Sequence, residues 1–341
     1  MMSDQIKKLA PIIWSEIQKA NHILFHCHPG PDGDSIGGAL GMMHILRNIG
    51  KEATVIMGDS EPPPTLACLP GFDQIIINNW SELDLSKYDL FISQDSSDLS
   101  QITKKVEVKF PNHIRVVVID HHETNRGYGH VNFIEPAYPS VCQMDYELCR
   151  QWNIEITPNA AACFFIGIYT DTGGFKYPAT TADTFKAAAE LVLIYPEFHK
   201  IVFELENNYE PEQIKFIGLS LSKIELYFNN KVAIAAVPYE ELKKLGIQEV
   251  HTEKAQVSEM LRSVKGWEIG VRFTEVKSGV VTLSMRTRDA NKYDLSKIAV
   301  ATGFGGGHMY AAGATLTMPF NEAKKYLLKT IQRVYPELGQ P

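Results

Sequence analysis

The chain of 341 residues has few cysteines and no long apolar run. Its five cysteines are odd in number and form no Cys-x-x-Cys pair, which argues against a disulfide framework and favours reduced thiols in a cytoplasm. The longest apolar run, residues 160–169, has about half the length that a membrane span needs, so it predicts a buried helix. The N-terminal residues have the pattern of an amphipathic helix and not that of a signal peptide. We therefore expect a cytoplasmic protein that does not bind a membrane.

Basic side chains are fewer than acidic ones. The net charge is −7 at pH 7, which argues against a long nucleic-acid duplex as a partner. The charge is unevenly distributed: residues 1–214 hold 15 basic and 28 acidic side chains, whereas residues 215–341 hold 18 basic and 12 acidic ones. An acidic half suits metal binding and a basic half suits phosphate binding, although an uneven surface charge without function would look the same.

Apolar periodicity predicts an α/β protein of two domains. Strand patterns alternate with helical patterns in the first half, and residues 115–119 are β-branched on both faces, as in the middle of a parallel sheet. The second half begins a new series of strands and helices, which predicts a smaller α/β domain with a mixed sheet. The strands predicted in the first half are residues 23–25, 53–57, 74–77, 89–93 and 115–119. We expect a parallel-sheet domain at residues 1–195, a helical connector at 196–228 and the second domain at 229–341, with the active-site cleft between the two domains.

One polar stretch lies where the first strand is followed by a helix. It reads His-Pro-Gly-Pro-Asp-Gly-Asp-Ser and brings His28, Asp32 and Asp34 together at the carboxyl end of the strand. Ligands bind at such strand ends in parallel sheets, and an imidazole with two carboxylates suits a divalent cation. Ser35 is a good N-cap residue for the helix. The alternative is an ordinary Asp-Gly-Pro turn before a helix.

Three further polar groups have the same setting. Asp95 follows the fourth predicted strand, Asp120-His121-His122 follows the fifth, and Asp171 follows a helix predicted at 159–169. Because the carboxyl ends of parallel strands meet at one edge of a sheet, these groups can lie together. Each has an ordinary explanation by itself, since an Asp often ends a strand and a His pair can lie in a solvated turn. Their coincidence favours one shared site.

The charges of such a site would balance with two divalent cations. Four carboxylates bring four negative charges and two imidazoles add neutral ligands, and these residues are Asp32, Asp34, Asp95, Asp171, His28 and His121. This inventory fits a two-metal site with a bridging carboxylate and a hydroxide between the ions, but the pattern leaves open which Asp bridges. The imidazoles favour Mn²⁺, with Co²⁺ and Mg²⁺ as alternatives.

A phosphate substrate would need further partners, and the basic half of the chain offers them. Arg286 lies in a Ser-Met-Arg-Thr-Arg run, and Gly305, Gly306 and Gly307 precede His308. A glycine run permits close backbone approach and leaves N–H groups free for phosphate oxygens. By itself it is as often a flexible loop.

The order of these motifs resembles the DHH phosphoesterases. The motifs His-x-x-Pro-Asp-x-Asp, an isolated Asp, Asp-His-His, Asp-Thr-Gly and a final Gly-Gly-Gly-His are similar to the branch that has a DHH-associated C-terminal domain, which includes nanoRNases and phosphoadenosine-phosphate phosphatases. The resemblance covers nearly the whole chain and departs from the family pattern only in an extra proline between His28 and Asp32, which keeps their spacing.

The resemblance implies a dinuclear Mn²⁺ site. By the motif match, one ion is held by His28 and Asp32, the other by Asp34, His121 and Asp171, and Asp95 bridges them. His122 would face the substrate phosphate, while Arg286 and Gly305, Gly306, Gly307 and His308 would bind it from the second domain. Asp120 then fits a partner that orients an imidazole, and His26 fits a strand residue better than a ligand.

The implied reaction is hydrolysis of a phosphate ester by a metal-bridging hydroxide, with Asp95, His121, His122 and Asp171 as catalytic residues. The expected substrates are short single-stranded oligoribonucleotides, degraded as by an exonuclease, and 3'-phosphoadenosine 5'-phosphate. Linear di-adenylate from the cyclic di-AMP pathway and polyphosphate or pyrophosphate are alternative substrates. A catalytically silent nucleotide sensor is the alternative from another class, although it would usually have lost metal ligands. A homodimer is compatible with the sequence, which does not decide it.

Overall fold

A computed structural model of the chain describes residues 4–253 and 255–341. The chain divides between Asn208 and Tyr209 into two units, each with its own six-stranded sheet. The division lies inside the predicted connector 196–228, while the three-part boundaries themselves stay a prediction. Within the described ranges, no helix is both long enough and apolar enough to cross a bilayer.

The first unit alternates strands and helices around a parallel sheet. Its elements are α1 Asp4–Lys19, β1 His22–His26, α2 Gly33–Asn48, β2 Glu52–Met57, β3 Ile76–Ile77, β4 Leu90–Gln94, β5 Arg115–Asp120, β6 Val131–Ile134, α3 Val141–Gln151, α4 Pro158–Asp171, α5 Ala182–Ile194 and α6 Phe198–Glu206. The strand order is β3-β2-β1-β4-β5-β6, and every neighbouring pair is parallel. The strands β1, β4 and β5 are therefore adjacent, and their carboxyl ends lie at one edge.

The predicted α/β class with a parallel first sheet is confirmed, but two details differ. The strand predicted at residues 74–77 is shorter in the structure, where β3 is Ile76–Ile77, because Phe72–Gln74 forms a 3-10 turn before it. The strand β6 was not predicted, because it has only four residues and its alternating burial is a weak signal in the sequence.

The helices α2 and α4 pack closely because glycines line their contact. A Cβ on Gly37 would lie 2.6 Å from the carbonyl oxygen of Cys163, and one on Gly41 would lie 2.3 Å from the ring of Phe164. The missing side chains on α2 let the two helices approach, which also brings the first turn of α2 next to the last turn of α4. Asp34 and Asp171 lie in those two turns.

The second unit has a mixed sheet, as predicted. Its elements are α7 Pro211–Ser222, β7 Ile224–Tyr227, β8 Val232–Val237, α8 Tyr239–Leu245, α9 Glu249–Glu253, α10 Val257–Ser263, β9 Ile269–Lys277, β10 Val280–Thr287, α11 Leu295–Ala301, β11 Gly305–Gly307, β12 Ala311–Thr317 and α12 Phe320–Val334. The strand order is β11-β12-β10-β9-β8-β7; the pair β8 and β9 is parallel and the other pairs are antiparallel.

Two interpretations of the second half were wrong. The helical pattern predicted up to residue 227 ends earlier, because Ile224–Tyr227 forms the strand β7, which pairs with β8. The glycine run predicted as a loop forms the edge strand β11, because Gly305, Gly306 and Gly307 pair with β12. In both places hairpin pairing with the next strand overrides the local pattern.

Candidate metal centre

The structure brings the six predicted metal ligands together at the carboxyl edge of the first sheet. Asp95 follows β4, His121 follows β5, and Asp171 ends α4. Three overlapping groups have ligand atoms within 4.8 Å of one another: His28, Asp32 and Asp95; Asp34, His121 and Asp171; and Asp95, His121 and His122. Convergence of strand ends, which local spacing could only suggest, therefore holds in the fold.

Asp95 lies between His28 of the first group and His121 of the second. Its Oδ2 is 3.3 Å from Nε2 of His28, and its Oδ1 is 3.5 Å from Nε2 of His121. The residue is buried and has a left-handed backbone with φ of 51°, while its N–H donates to the carbonyl of Ile119. A strained backbone at a strand end is typical of a functional residue. Each oxygen faces a different imidazole, which is the geometry that a bridging carboxylate needs.

The distances between the donor atoms fit divalent cations. Nε2 of His28 lies 3.9 Å from Oδ1 of Asp32, and Nε2 of His121 lies 3.5 Å from Oδ2 of Asp171. Two ligands at right angles around an ion with bonds of about 2.1 Å are about 3 Å apart, and wider angles separate them further. Imidazole nitrogens and carboxylate oxygens are the donors that Mn²⁺ and similar ions accept. The residues present therefore fit such ions.

Hydrogen bonds on the far side of each ring orient the imidazoles. Nδ1 of His28 lies 3.2 Å from the carbonyl of Pro29, and Nδ1 of His121 lies 3.2 Å from the carbonyl of Tyr138. A carbonyl can only accept, so Nδ1 carries the proton and Nε2 faces the carboxylates as a free donor atom for a metal.

Asp120 has the orienting position that we expected for it. Its Oδ1 accepts from Nδ1 of His122 at 2.8 Å, and its Oδ2 accepts from Nδ2 of Asn125 at 2.7 Å. The hydrogen bond that His122 donates to Asp120 raises the pKa of His122, so the imidazolium is favoured. Asn125 was missed in the sequence; its position five residues after Asp120 gave no pattern that distinguishes it from a turn residue.

Two of the carboxylates also cap helices. Asp34 accepts from the N–H groups of Val141 and Cys142 at 2.6 and 2.9 Å, at the start of α3. Asp32, and not Ser35, is the N-cap of α2, because its Oδ1 accepts from the N–H groups of Asp34 and Ser35. The Ser35 prediction was wrong, since its Oγ accepts instead from the N–H of His28 at 3.2 Å. These bonds hold the loop between β1 and α2.

Burial and mutual repulsion shift the pKa values in this cluster. Burial, with the charges of neighbouring carboxylates, raises the pKa of Asp171 to about 9 and that of Asp34 to about 7. Burial lowers the pKa of both histidines, but Asp95 and its neighbours more than offset this and raise it to about 9 for His28 and about 10 for His121. Burial raises the pKa of Asp95, but hydrogen bonds and charges from both histidines hold it well below its usual range. Cations would supply the positive charge that these protons provide.

His26 lies beside this cluster without contributing to any of its donor groups. It is the last residue of β1, it is buried, and its Nε2 lies 3.1 Å from Oγ of Ser96. Ser96 also donates to the carbonyl of Gln94, so His26 packs against the turn that carries Asp95. This agrees with the expectation that His26 is a strand residue.

The comparisons with known proteins agree with these motifs. The model for "DHH family, N-terminal domain" matches residues 22–168, which include five of the six predicted ligands. Residues 22–168 are therefore similar to the N-terminal domain of the DHH family. The resemblance inferred from the motifs is thereby confirmed.

The similarity to known proteins extends over both units. The chain is 28% identical over 330 residues to the bifunctional oligoribonuclease and PAP phosphatase NrnA of Thermus thermophilus, covering 95% of this chain and 94% of that protein. An exopolyphosphatase-related protein from Bacteroides fragilis has a similar structure, with a TM-score of 0.87, 22% identity and 98% coverage of both chains. RecJ from Thermus thermophilus, solved in complex with Mn²⁺, has a TM-score of 0.53 at 14% identity and covers 98% of this chain and 55% of its own. The two structures show the shared fold.

The residues predicted to bind phosphate lie together in the second unit, outside residues 22–168. Arg286 of β10 is paired with Ala311 of β12, and Ala311 exchanges backbone hydrogen bonds with His308. Directly opposite residues of antiparallel strands project to the same face, so Arg286 and His308 flank the small side chain of Ala311. Nε of Arg286 also lies 3.6 Å from Oε2 of Glu259, an orienting partner that the sequence did not indicate.

The edge position of β11 leaves some glycine N–H groups open. His308 N–H donates to Ala311, and Thr315 N–H donates to Phe304, which places the bonded pairs at every second residue. By that alternation Gly305 and Gly307 direct their N–H groups away from β12. The glycine run is therefore a paired edge strand that still directs N–H groups away from β12.

Proposed function

We propose that this protein is a metal-dependent phosphoesterase that hydrolyses short oligoribonucleotides and 3'-phosphoadenosine 5'-phosphate. The observation that carries the proposal is the position of Asp95 between two groups of metal ligands in a DHH domain. The relative from Thermus thermophilus, which is named for these two activities, aligns with 95% of the chain. That alignment supports extending the same substrate classes to this protein.

We assign two divalent cations to the cluster, with Mn²⁺ first because two imidazoles are among the donors. His28 and Asp32 would hold one ion, Asp34, His121 and Asp171 would hold the other, and Asp95 would contact both. When bound, the ions would supply positive charge to the phosphoryl oxygens and lower the pKa of a water molecule that attacks phosphorus.

The remaining residues bind and orient the substrate. His122 can donate from Nε2 to a phosphoryl oxygen, because Asp120 holds its Nδ1 and favours the imidazolium. Arg286 and His308 flank a gap on the second sheet that suits a phosphate group, and the N–H groups of Gly305 and Gly307 are further donors. Fixed donors cost little reorganisation when the substrate binds.

The test is a substrate panel with Mn²⁺ as the added metal. It contains RNA dimers to five-mers, a 24-mer RNA, 3'-phosphoadenosine 5'-phosphate, linear di-adenylate, polyphosphate and pyrophosphate. We expect mononucleotides from the shortest RNAs and adenosine monophosphate from the phosphoadenosine compound. Turnover of polyphosphate or pyrophosphate alone would replace the proposed substrates, and no turnover of any compound would support a nucleotide sensor.

A further inference from the structure

At the β11 edge of the second sheet, one face of β11 and β12 contains a floor of very small residues. Gly306 of β11 pairs with Gly313 of β12, and Gly313 pairs with Ser284 of β10. Ala311, two residues before Gly313 on β12, lies between Arg286 and His308 in the same way. Residues two apart on a strand share a face, so Gly306, Gly313 and Ala311 form one shallow surface beside the two cationic side chains.

Neither the backbone conformation nor the packing of the fold requires a glycine at position 306. Its φ is not in the left-handed region, and a Cβ built on it would meet nothing within 4 Å. Its neighbours differ, because a Cβ on Gly305 would lie 2.2 Å from the carbonyl oxygen of Gly313 and Gly307 has φ of 132°. The space above Gly306 is therefore open, as it would be where a ligand lies against the backbone.

Phe304 lies at the far end of this floor. Its carbonyl accepts from the N–H of Thr315, which belongs to the exposed series of β12, and its side chain is 56% exposed. Phe304 precedes His308 by four residues, which is about 13 Å along a strand. An aromatic ring thus ends a floor that has a cationic pair at its other end.

The backbone that carries this ring is held in place. The N–H of Phe304 donates to Oγ1 of Thr302 at 3.2 Å, and the carbonyl of Thr302 accepts from the hydroxyl of Tyr326 at 3.0 Å. At the other end, the rings of His308 and Tyr310 are stacked with an interplanar angle of 8°. A ring on a fixed backbone loses little conformational freedom when a ligand stacks on it.

We propose that Phe304 and the floor of Gly306 and Gly313 form a nucleobase subsite. The phosphate lies at Arg286 and His308, the sugar crosses the glycines, and the base stacks on the ring of Phe304. Exposed aromatic rings beside a cationic surface bind bases in this way without sequence preference. The subsite rests on the proposed function, since it names the group by which that surface would recognise a nucleotide.

The experiment compares one ligand with and without a base. Calorimetric titrations of the full chain in Mn²⁺ use adenosine monophosphate and ribose 5-phosphate, with the wild type and the variants Phe304→Ala and Phe304→Leu. We expect the wild type to bind adenosine monophosphate at least about tenfold more tightly, and either variant to reduce that ratio by about fivefold or more, which is the lower range for losing one base stack. Gly306→Val should weaken both ligands, because its side chain fills the floor.

Leu226→Ala is the matched control. Leu226 is 41% exposed on β7, at the opposite edge of the same sheet, and its removal should leave the ratio as in the wild type. A wild type without preference for the base, or variants at Phe304 with the wild-type ratio, would overturn the subsite. If the ratio changes as expected while RNA dimers are not cleaved, the subsite stands and the proposed nuclease activity fails. If the dimers are cleaved while the variants at Phe304 keep the wild-type ratio, the proposed nuclease activity stands and the subsite fails.

Discussion

At the scale of single residues, the candidate metal centre depends on Asp95. It is the one carboxylate whose two oxygens each face an imidazole in the described clusters, one toward His28 and the other toward His121. Its left-handed backbone directs the side chain into the cluster from the end of β4. Conformation and position together make it the residue whose replacement tests the site most directly.

We expect Asp95→Asn to lower Mn²⁺-dependent turnover by about a thousandfold or more, since contact with two cations is worth several kcal/mol to the reaction. Asn has the same size and tolerates a left-handed backbone, so the fold should be retained. The measurements are hydrolysis of an RNA dimer and the melting temperature with and without Mn²⁺. Asp84→Asn, on an exposed turn, is the control, and full activity of Asp95→Asn would contradict the two-metal assignment.

The raised pKa values in the cluster predict how the stability of the metal-free protein depends on pH. The folded-state pKa is about 9 for His28 and Asp171 and about 10 for His121, above the usual values. A group with a raised folded pKa stabilises the fold while it is protonated, and this contribution is lost as the pH rises through that pKa. The melting temperature without metal should therefore fall between pH 7 and pH 10.

Bound Mn²⁺ should act in the opposite direction over the same pH range. Metal ligands must be deprotonated, so the increase in melting temperature that Mn²⁺ causes should become larger from pH 7 to pH 9. Thermal melts with EDTA and with Mn²⁺ at each pH measure both effects. Asp95→Asn should show a weaker dependence in EDTA, because Asp95 raises the pKa of both histidines. If Mn²⁺ raised the melting temperature by the same amount at all pH values, this would contradict the assignment of these residues as the ligands.

At the scale of elements, the contact between α2 and α4 positions Asp34 and Asp171, which we proposed as ligands of the second ion. Gly33, Gly37 and Gly41 recur every four residues along α2, and a Cβ on any of them would lie within 3.0 Å of α4. Gly167 on α4 is equally confined, since its Cβ would lie 2.1 Å from Sγ of Cys142. Because α2 has glycines at this contact, it lies close to α4, and Asp34 and Asp171 are near each other.

Gly37→Ala should destabilise the protein by about 1–3 kcal/mol despite the better helix propensity of Ala, because the new methyl group overpacks the contact. It should also lower Mn²⁺ affinity, since wider separation of the helices moves Asp34 from Asp171. Gly218→Ala in α7 is the matched control: nothing lies within 4 Å of its Cβ, so Ala should stabilise by about 0.5–1 kcal/mol. Urea unfolding gives the stability of both variants, and Mn²⁺ titration gives their metal affinity. Equal changes in the two variants would show that the contact between α2 and α4 has room for a methyl group.

At the scale of the whole molecule, the two units carry different chemistry. The first unit, residues 1–208, has 15 basic and 26 acidic side chains, whereas residues 209–341 have 18 basic and 14 acidic ones. All predicted metal ligands lie in the first unit, and Arg286, His308 and the glycine strand lie in the second. This division matches a cation-binding unit and an anion-binding unit.

Mn²⁺ alone should therefore protect the first unit more than the second against amide hydrogen exchange. We expect slower exchange in β1, β4, β5 and α4, and little change in β8 and β9, because a ligand stabilises the elements that bind it. Exchange measured by mass spectrometry with Mn²⁺ and with EDTA gives the comparison for each peptide. Equal protection of both units would contradict the assignment of the ions to the first unit.

The sequence alone determined the class of fold and the residues that meet at the candidate metal centre. Apolar periodicity and strand-end polar residues are local properties, and they were enough to predict the parallel sheet and the group that includes His28, Asp95 and His121. The motif match implied that Asp95 bridges, but only the tertiary structure decided that its two oxygens face His28 and His121, that Asp32 rather than Ser35 caps α2, and that the glycine run is an edge strand. The first feature depends on residues that are distant in the chain and meet only after the strands have packed, and the other two depend on backbone geometry and strand pairing that residue types alone do not specify.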